Sequence, residues 1–339
     1  MFKRKLSKQN KLKRILLRLF NVYALDRETF ELINPEINKK AENFFKFNDK
    51  GITLATGFIE LKRKIKKLDI FYRYSPDVSL WNSPGKWKRI IPNINKETLI
   101  KVSLNSLKKS ILNFLEIENL EISLNLIYDK SSNNFNTQLK DLLKNDKFKI
   151  NFIKSKINGN RGTYLECCDL AEKSDDLIFF VEDDYLFKEN CIEELLFSYS
   201  RISTQVDKEI FLTPSDYVFY YDKNYITSLF LGRYYRWRIV KETLLTFMFS
   251  KNLLNVYRKK IRAVGEIKND PFEKPLHEIF EKDLCLAPVN SISYHISRAV
   301  PSIEPDWYLL WEKNYKEVFG GPWGNRTPLS RMKTTCPNR

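Results

Sequence analysis

Short apolar runs of strand length alternate with longer stretches at helical spacing between residue 69 and about residue 200. Strand patterns cover 69–74, 122–128, 149–153 and 177–181, and helical patterns begin near 96, 135, 160 and 192. The last strand pattern, LIFFV, is apolar without interruption, which is typical of a strand buried on both faces. This β-α-β succession predicts an α/β fold with a mostly parallel sheet flanked by helices.

Polar side chains follow three of these predicted strands. Arg73 ends the first strand, Asp129 follows the second, and Glu182, Asp183 and Asp184 follow LIFFV. Because ligands of open parallel sheets bind outside the carboxyl ends of the strands, we expect these groups to meet in one crevice.

Three consecutive carboxylates at the end of a buried strand repel one another and are partly desolvated, so their charged forms need a compensating cation. Hard oxygen ligands in this number suit Mg²⁺ or Mn²⁺, which keep coordination positions open for phosphate oxygens. An acidic turn that faces water is the alternative, and the position directly after LIFFV favours the metal.

The segment NRGTYLECCDLAEKSDDLIFFVEDDYLFKENCIEELLFSY, residues 160–199, resembles the donor-binding stretch of GT-A glycosyltransferases, where an apolar strand ends in an acidic D-x-D motif. Its VEDDYLFKEN form is similar to the E-D-D motif of animal N-acetylglucosaminyltransferases, and LIYDKSSNNF resembles the D-x-S strand end of family 2 enzymes. The resemblance extends over residues 69–215 and more loosely over 216–312. It implies a Rossmann-like GT-A fold and a nucleotide-diphosphate sugar donor.

The resemblance also implies roles for single residues. Asp184 would bind the metal directly, and His295, on a strand-like run, is a candidate second ligand; a structural histidine is the alternative. The expected donor contacts are Arg73, Asp129, Arg161, Glu182 and Asp183, with Asp129 on the nucleoside and Arg161 on the nucleotide.

Inverting sugar transfer also needs a base for the acceptor hydroxyl. Asp216 follows a strand-like run and ranks first, ahead of Glu266 and Asp270. Arg236 and Trp237 lie in GRYYRWRIVKETLLTFMFS, where arginines suit anionic groups and aromatic rings suit sugar faces. They are the predicted acceptor contacts, and the alternative is that the aromatic rings belong to the core.

The sequence divides into four predicted parts: a basic helical segment (1–66), a nucleotide-sugar-binding half (67–215), an acceptor-binding half (216–319) and a disordered tail (320–339). With 58 Lys and Arg against 42 Asp and Glu, the net charge is +16. AT-rich codon usage explains this excess better than a functional basic surface does, and no nucleic-acid partner is predicted. The basic N-terminal segment is a candidate for an anionic membrane surface, and an ordinary solvated helix packed on the domain is the alternative. We expect a cytoplasmic protein, at most peripheral at the inner membrane face, because the five cysteines form no C-x-x-C pair and no signal-peptide cleavage site follows the basic start.

Together these features predict a metal-dependent glycosyltransferase of cell-surface polysaccharide biosynthesis, with a glycan, a lipid-linked sugar or another hydroxyl as acceptor. Two alternatives remain open at this stage. One is a nucleotidyltransferase that uses its acidic cluster for phosphoryl transfer, and the other is a non-enzymatic basic binding protein.

Overall fold

The computed structural model describes residues 45–47, 51–54, 57–77, 94–221, 227–266, 273–296 and 307–321. The strands are β1 (Phe45–Phe47), β2 (Gly51–Leu54), β3 (Gly57–Glu60), β4 (Lys67–Tyr74), β5 (Glu121–Tyr128), β6 (Lys149–Lys154), β7 (Leu177–Glu182), β8 (Tyr185–Phe187), β9 (Phe211–Leu212), β10 (Leu229–Leu231), β11 (Arg236–Ile239), β12 (Phe247–Ser250), β13 (Cys285–Pro288) and β14 (Ser293–His295). The helices are α1 (Lys96–Leu115), α2 (Asn133–Leu143), α3 (Gly159–Ala171), α4 (Cys191–Val206), α5 (Lys251–Ala263), α6 (Lys274–Phe280) and α7 (Trp307–Phe319), with a 3₁₀ turn at Val218–Tyr221.

One nine-stranded sheet organises the described chain, in the order β6-β5-β4-β7-β12-β9-β13-β11-β10. Strands β6, β5, β4 and β7 pair with one another in parallel, and β9 is parallel to β13. Strand β12 runs antiparallel between β7 and β9, and β10 and β11 add an antiparallel edge. The predicted α/β class is therefore confirmed, and the four strands predicted from the sequence, β4, β5, β6 and β7, form the parallel side of the sheet. The sheet also runs across the predicted boundary at residue 215.

Side-chain alternation along the central strands builds a core on each face of the sheet. In β7, Leu177, Phe179 and Val181 join one buried cluster, while Ile178 and Phe180 join the other. The first cluster lies under α1, α2 and α4, and the second under α3, α5 and α6. The uninterrupted apolar sequence of this strand thus reflects burial on both faces.

The described residues between 45 and 60 are not helical as predicted, because β1, β2 and β3 form an antiparallel meander. Aromatic and β-branched residues are frequent in this stretch, and they favour strands over helices. Residues 1–44 of the predicted basic helical segment and residues 322–339 of the predicted tail lie outside the described residues.

Two elements near the acidic triplet matter for the site. Helix α1 begins where predicted, since the Asn95 side chain accepts a hydrogen bond from the backbone N–H of Thr98 at 2.8 Å. Strands β8 and β14 pair outside the main sheet, and Trp311 of α7 is buried against them.

None of the described helices is both long and apolar enough to cross a bilayer.

Candidate active site at the carboxyl end of the sheet

The parallel register of β4, β5 and β7 brings the three predicted strand ends together. Arg73 on β4 lies beside Glu182 on β7, and Tyr74 lies beside Tyr128, the residue before Asp129. The polar groups that follow separate strands in the sequence therefore occupy one edge of the sheet, as predicted.

Glu182 pairs with Arg73. A guanidinium nitrogen of Arg73 lies 2.6 Å from Glu182 Oε1, and its other terminal nitrogen donates to the side chain and backbone oxygens of Asn160 at 2.7 and 3.1 Å. Burial raises the pKa of Glu182 to about 7, although the charge of Arg73 opposes this shift. Glu182, the first carboxylate of the triplet, is thus already paired with a positively charged side chain, Arg73.

Asp183 pairs with Lys96, the first residue of α1. The Lys96 ammonium lies 2.6 Å from Oδ1, and the backbone N–H of Ser75 donates to Oδ2 at 3.0 Å. Burial raises the pKa of Asp183, while Lys96 lowers it in part. Lys96 was not among the site residues predicted from the sequence. A lysine at the positive end of a helix dipole is unfavourably placed unless a carboxylate faces it, and that was the available signal.

Asp184 meets His295 across the β8–β14 pair. His295 lies opposite Tyr185 in the register, and its Nε2 is 3.2 Å from Asp184 Oδ2. The imidazole also stacks on the Tyr185 ring at 4.8 Å between centroids. Burial would raise the pKa of Asp184, but the adjacent imidazole holds it well below its usual range. The predicted proximity of Asp184 and His295 is therefore present.

Asp184 Oδ1 is buried and has no hydrogen-bond partner among the described residues. Arg73 and Lys96 balance the charges of Glu182 and Asp183, so Asp184 is the one carboxylate of the triplet that no described lysine or arginine pairs with directly, and its neighbour is His295. In an octahedral Mg²⁺ or Mn²⁺ site, two adjacent ligand atoms lie about 3 Å apart when each is about 2.1 Å from the metal. Asp184 and His295 therefore fit a divalent cation, whereas the other two carboxylates are already paired.

Asp129 and Arg161 lie at different places around this edge. Asp129 is buried, and its Oδ2 accepts a hydrogen bond from the backbone N–H of Gly159 at 2.7 Å, where α3 begins. Arg161 is half-buried and donates to the backbone carbonyl of Glu266. Within α3 it is therefore Asn160, and not Arg161, that contacts the acidic cluster through Arg73. The predicted nucleotide contacts of Asp129 and Arg161 stay predictions.

Asp216 is buried near β14. Its carboxylate accepts hydrogen bonds from the Tyr221 hydroxyl and, at 3.2 Å, from the backbone N–H of Asn290. The next residue, Tyr217, lies with its hydroxyl 2.7 Å from that of Tyr185 and its ring edge toward His295. Asp216 thus adjoins the Asp184–His295 pair through the aromatic rings. Of the lower-ranked candidates, Glu266 is exposed and Asp270 lies outside the described residues.

The two predicted acceptor contacts lie on opposite faces of β11. Arg236 is exposed, but Trp237 is fully buried, and its indole N–H donates to Glu194 Oε1 at 2.9 Å. Glu194 also accepts hydrogen bonds from the backbone N–H groups of Arg233 and Tyr234. The acceptor role of Trp237 needs correction, because its ring belongs to the core and offers no face to a sugar.

A second group with metal-ligand chemistry, Glu242, Glu273 and His277, brings its side-chain ligand atoms within 4.8 Å of one another. Glu273 already accepts hydrogen bonds from the backbone N–H groups of Thr243 and Leu245. It thereby holds a turn with two left-handed residues, Leu244 and Leu245. These contacts account for Glu273 as a structural residue.

The search against protein-family models finds no match, and neither does the search against curated proteins. Among solved structures, residues 1–349 of Staphylococcus aureus TarS align at 11% identity, over 78% of this chain and 68% of that chain, with a TM-score of 0.44. The glycosyltransferase GlyE of Streptococcus pneumoniae aligns at 9% identity over 78% and 66%, with a TM-score of 0.40. The inositol-1-phosphate CTP transferase of T. maritima aligns at 8% over 75% and 97%, with a TM-score of 0.38. Similarity at this level does not assign a family or a substrate.

Proposed function

We propose that this protein is an inverting glycosyltransferase that uses a nucleotide-diphosphate sugar. The supporting observation is the environment of Asp184, whose buried Oδ1 has no partner among the described residues while His295 lies beside its other oxygen. Asp184 and His295 would hold a Mg²⁺ or Mn²⁺ ion, which neutralises charge on a leaving diphosphate.

The other groups at this edge have roles that follow from their positions. Arg73 and Lys96 keep Glu182 and Asp183 in place, so that the second oxygen of Glu182 and the remaining lone pairs of Asp183 can accept hydrogen bonds from ribose or sugar hydroxyls. Asp129, at the end of β5, is the proposed contact for the nucleoside.

Asp216 is the proposed base. The acceptor oxygen attacks the anomeric carbon and gives its proton to the Asp216 carboxylate. The bond between that carbon and the diphosphate oxygen breaks, and its electron pair leaves with the nucleoside diphosphate. Tyr221 and the backbone of Asn290 fix the carboxylate by hydrogen bonds, which keeps it oriented before the acceptor arrives.

The test is a screen of nucleotide sugars for hydrolysis with and without Mn²⁺, combined with calorimetry of nucleoside diphosphates. We expect metal-dependent hydrolysis of at least one donor. Asp184→Ala should remove the metal-dependent part of binding, and His295→Ala should raise the Mn²⁺ concentration that half-saturates activity by at least about tenfold. Asp175→Ala removes an exposed carboxylate and is the matched control.

Three results would contradict the proposal. The first is nucleoside diphosphate affinity that is the same in Asp184→Ala and the wild type when Mn²⁺ is present. The second is a His295→Ala variant that loses thermal stability without metal and keeps its metal requirement, which would make His295 a core residue. The third is release of pyrophosphate from a nucleoside triphosphate without any sugar transfer, which would support the nucleotidyltransferase alternative.

A further inference from the structure

The edge of the main sheet presents two unlike faces, because side chains alternate along β10 and β11. The register pairs Leu229 with Arg238 and Leu231 with Arg236, so these four side chains share one face. The other face carries Phe230 and Trp237, which are buried in the core. On the first face, Leu229 is 60% exposed, Leu231 is 38% exposed and Arg236 is exposed.

This face continues inward to Asp216. The Arg238 guanidinium lies 4.4 Å from the centre of the Tyr221 ring, and the Tyr221 hydroxyl donates to the Asp216 carboxylate. Tyr221 is itself 52% exposed. An elongated ligand on this face would therefore run from the outer leucines past Arg236 and Tyr221 to the proposed base.

The chemistry of the face favours an amphiphile with an anionic group. Leucine side chains offer no hydrogen bonds to the hydroxyls of a glycan, but they cover an alkyl chain well. The Arg236 side chain makes no ion pair with any residue that the structure describes, and a guanidinium matches a phosphate with two parallel hydrogen bonds.

We infer that this face binds the acceptor, and that the acceptor is a sugar linked through phosphate to a lipid. Its alkyl chain would lie on Leu229 and Leu231, its phosphate on Arg236, and its reacting hydroxyl at Asp216. This assignment rests on the proposed function, since Asp216 is a base only in a sugar transfer. It replaces sugar stacking on Trp237 with contacts on the opposite face of the same strand.

Three probes separate the parts of such an acceptor: decyl phosphate, decyl glucoside and inorganic phosphate. Binding of each is measured by calorimetry, with the two decyl compounds kept below their critical micelle concentrations. We expect the wild-type protein to bind decyl phosphate at least about tenfold more tightly than either other probe. The double variant Leu229→Ser/Leu231→Ser should lose about tenfold in decyl phosphate affinity, and Arg236→Gln should reduce it to that of decyl glucoside. Val256→Ser is the matched control, because Val256 is 71% exposed on α5. Thermal unfolding checks that each variant is folded.

The inference fails if decyl phosphate binds the double variant or Arg236→Gln as tightly as the wild type, or if Val256→Ser loses as much affinity as the double variant. It also fails if light scattering detects a dimer of the wild-type protein, and the two leucine substitutions dissociate this dimer but leave decyl phosphate binding unchanged. The leucines would then contact a second copy of the chain. Nucleotide measurements on the wild-type protein keep this failure separate from that of the proposed function. Donor hydrolysis without decyl phosphate binding overturns only the acceptor assignment, whereas the absence of nucleoside diphosphate binding and donor hydrolysis overturns the proposed function.

Discussion

The ion pair between Lys96 and Asp183 gives the most direct test of how the acidic triplet is stabilised. Its side chains are 9% and 13% exposed and lie 2.6 Å apart, whereas the Lys149–Glu121 pair spans 3.0 Å with side chains 71% and 48% exposed. The difference in distance changes the Coulomb energy by only about 15% at equal dielectric constant. Burial therefore decides which pair contributes more to stability. Lys96→Met should cost about 3–5 kcal/mol of unfolding free energy, and Lys149→Met should cost far less because its pair with Glu121 is exposed to solvent.

The loss in Lys96→Met should also grow with pH. Burial already raises the pKa of Asp183 above its ordinary value of 3.8, and removal of the lysine raises it further. The folded variant then holds a proton that the unfolded chain releases, so its stability falls as pH rises from about 4 to the new pKa of Asp183. At pH 5 the protonated Asp183 carboxyl of the variant avoids part of the cost of burying a charge, whereas at pH 8 the charged carboxylate has the full cost.

Urea unfolding followed by circular dichroism at pH 5 and pH 8 measures both effects. A double-mutant cycle with Lys96→Met, Asp183→Asn and the combined variant isolates the coupling between the two side chains. Burial does not decide the strength of this pair if Lys96→Met loses no more stability than Lys149→Met, or if the loss in Lys96→Met is the same at both pH values.

Three further predictions concern residues outside the acidic triplet. The Glu273 carboxylate, whose Oε2 lies 3.8 Å from His277 Nε2, is the chief cause that raises the pKa of His277, so this pair should stabilise the fold below about pH 6.5 and lose that effect as pH rises through the raised pKa; thermal unfolding of His277→Ala at pH 5.5 and 8.5 should show the larger deficit at the lower pH. Trp237→Phe removes one hydrogen bond from the buried Glu194 carboxylate and should lower the free energy of unfolding by about 1–3 kcal/mol without changing nucleotide affinity; unchanged stability would contradict the core assignment. Gly232→Ala should destabilise at least as much in the same urea assay, because a Cβ there would lie 2.3 Å from the Trp237 indole nitrogen and 2.4 Å from Glu194 Oε1.

The parallel part of the sheet, β6-β5-β4-β7, could be predicted from the sequence because its signals are local. Strand and helix periods depend on residues a few positions apart, and the LIFFV run is typical of a strand covered on both faces. The position of Arg73, Asp129 and the acidic triplet at one edge followed from the rule for parallel strands. It required no knowledge of individual contacts.

Local sequence patterns could not identify the partners of the triplet, because each lies far away in the sequence, and His295 was expected beside Asp184 only from the resemblance to GT-A enzymes. Lys96 meets Asp183 across 87 residues, and His295 meets Asp184 across 111. Strand-like alternation placed His295 on a strand, but only the pairing of β14 with β8 brings it to Asp184.

The two faces of β11 show what tertiary structure decides. From the sequence, Arg236 and Trp237 are adjacent polar and aromatic residues that both suit a sugar site. In a strand, neighbouring side chains point to opposite faces, so only one of the two can face the acceptor. Which one does depends on where the core lies, and Glu194 of α4 settles this by accepting a hydrogen bond from the Trp237 indole. The sequence determined the residue types and the alternation, whereas the packing of a distant helix determined which face is open, because burial is a property of the whole fold.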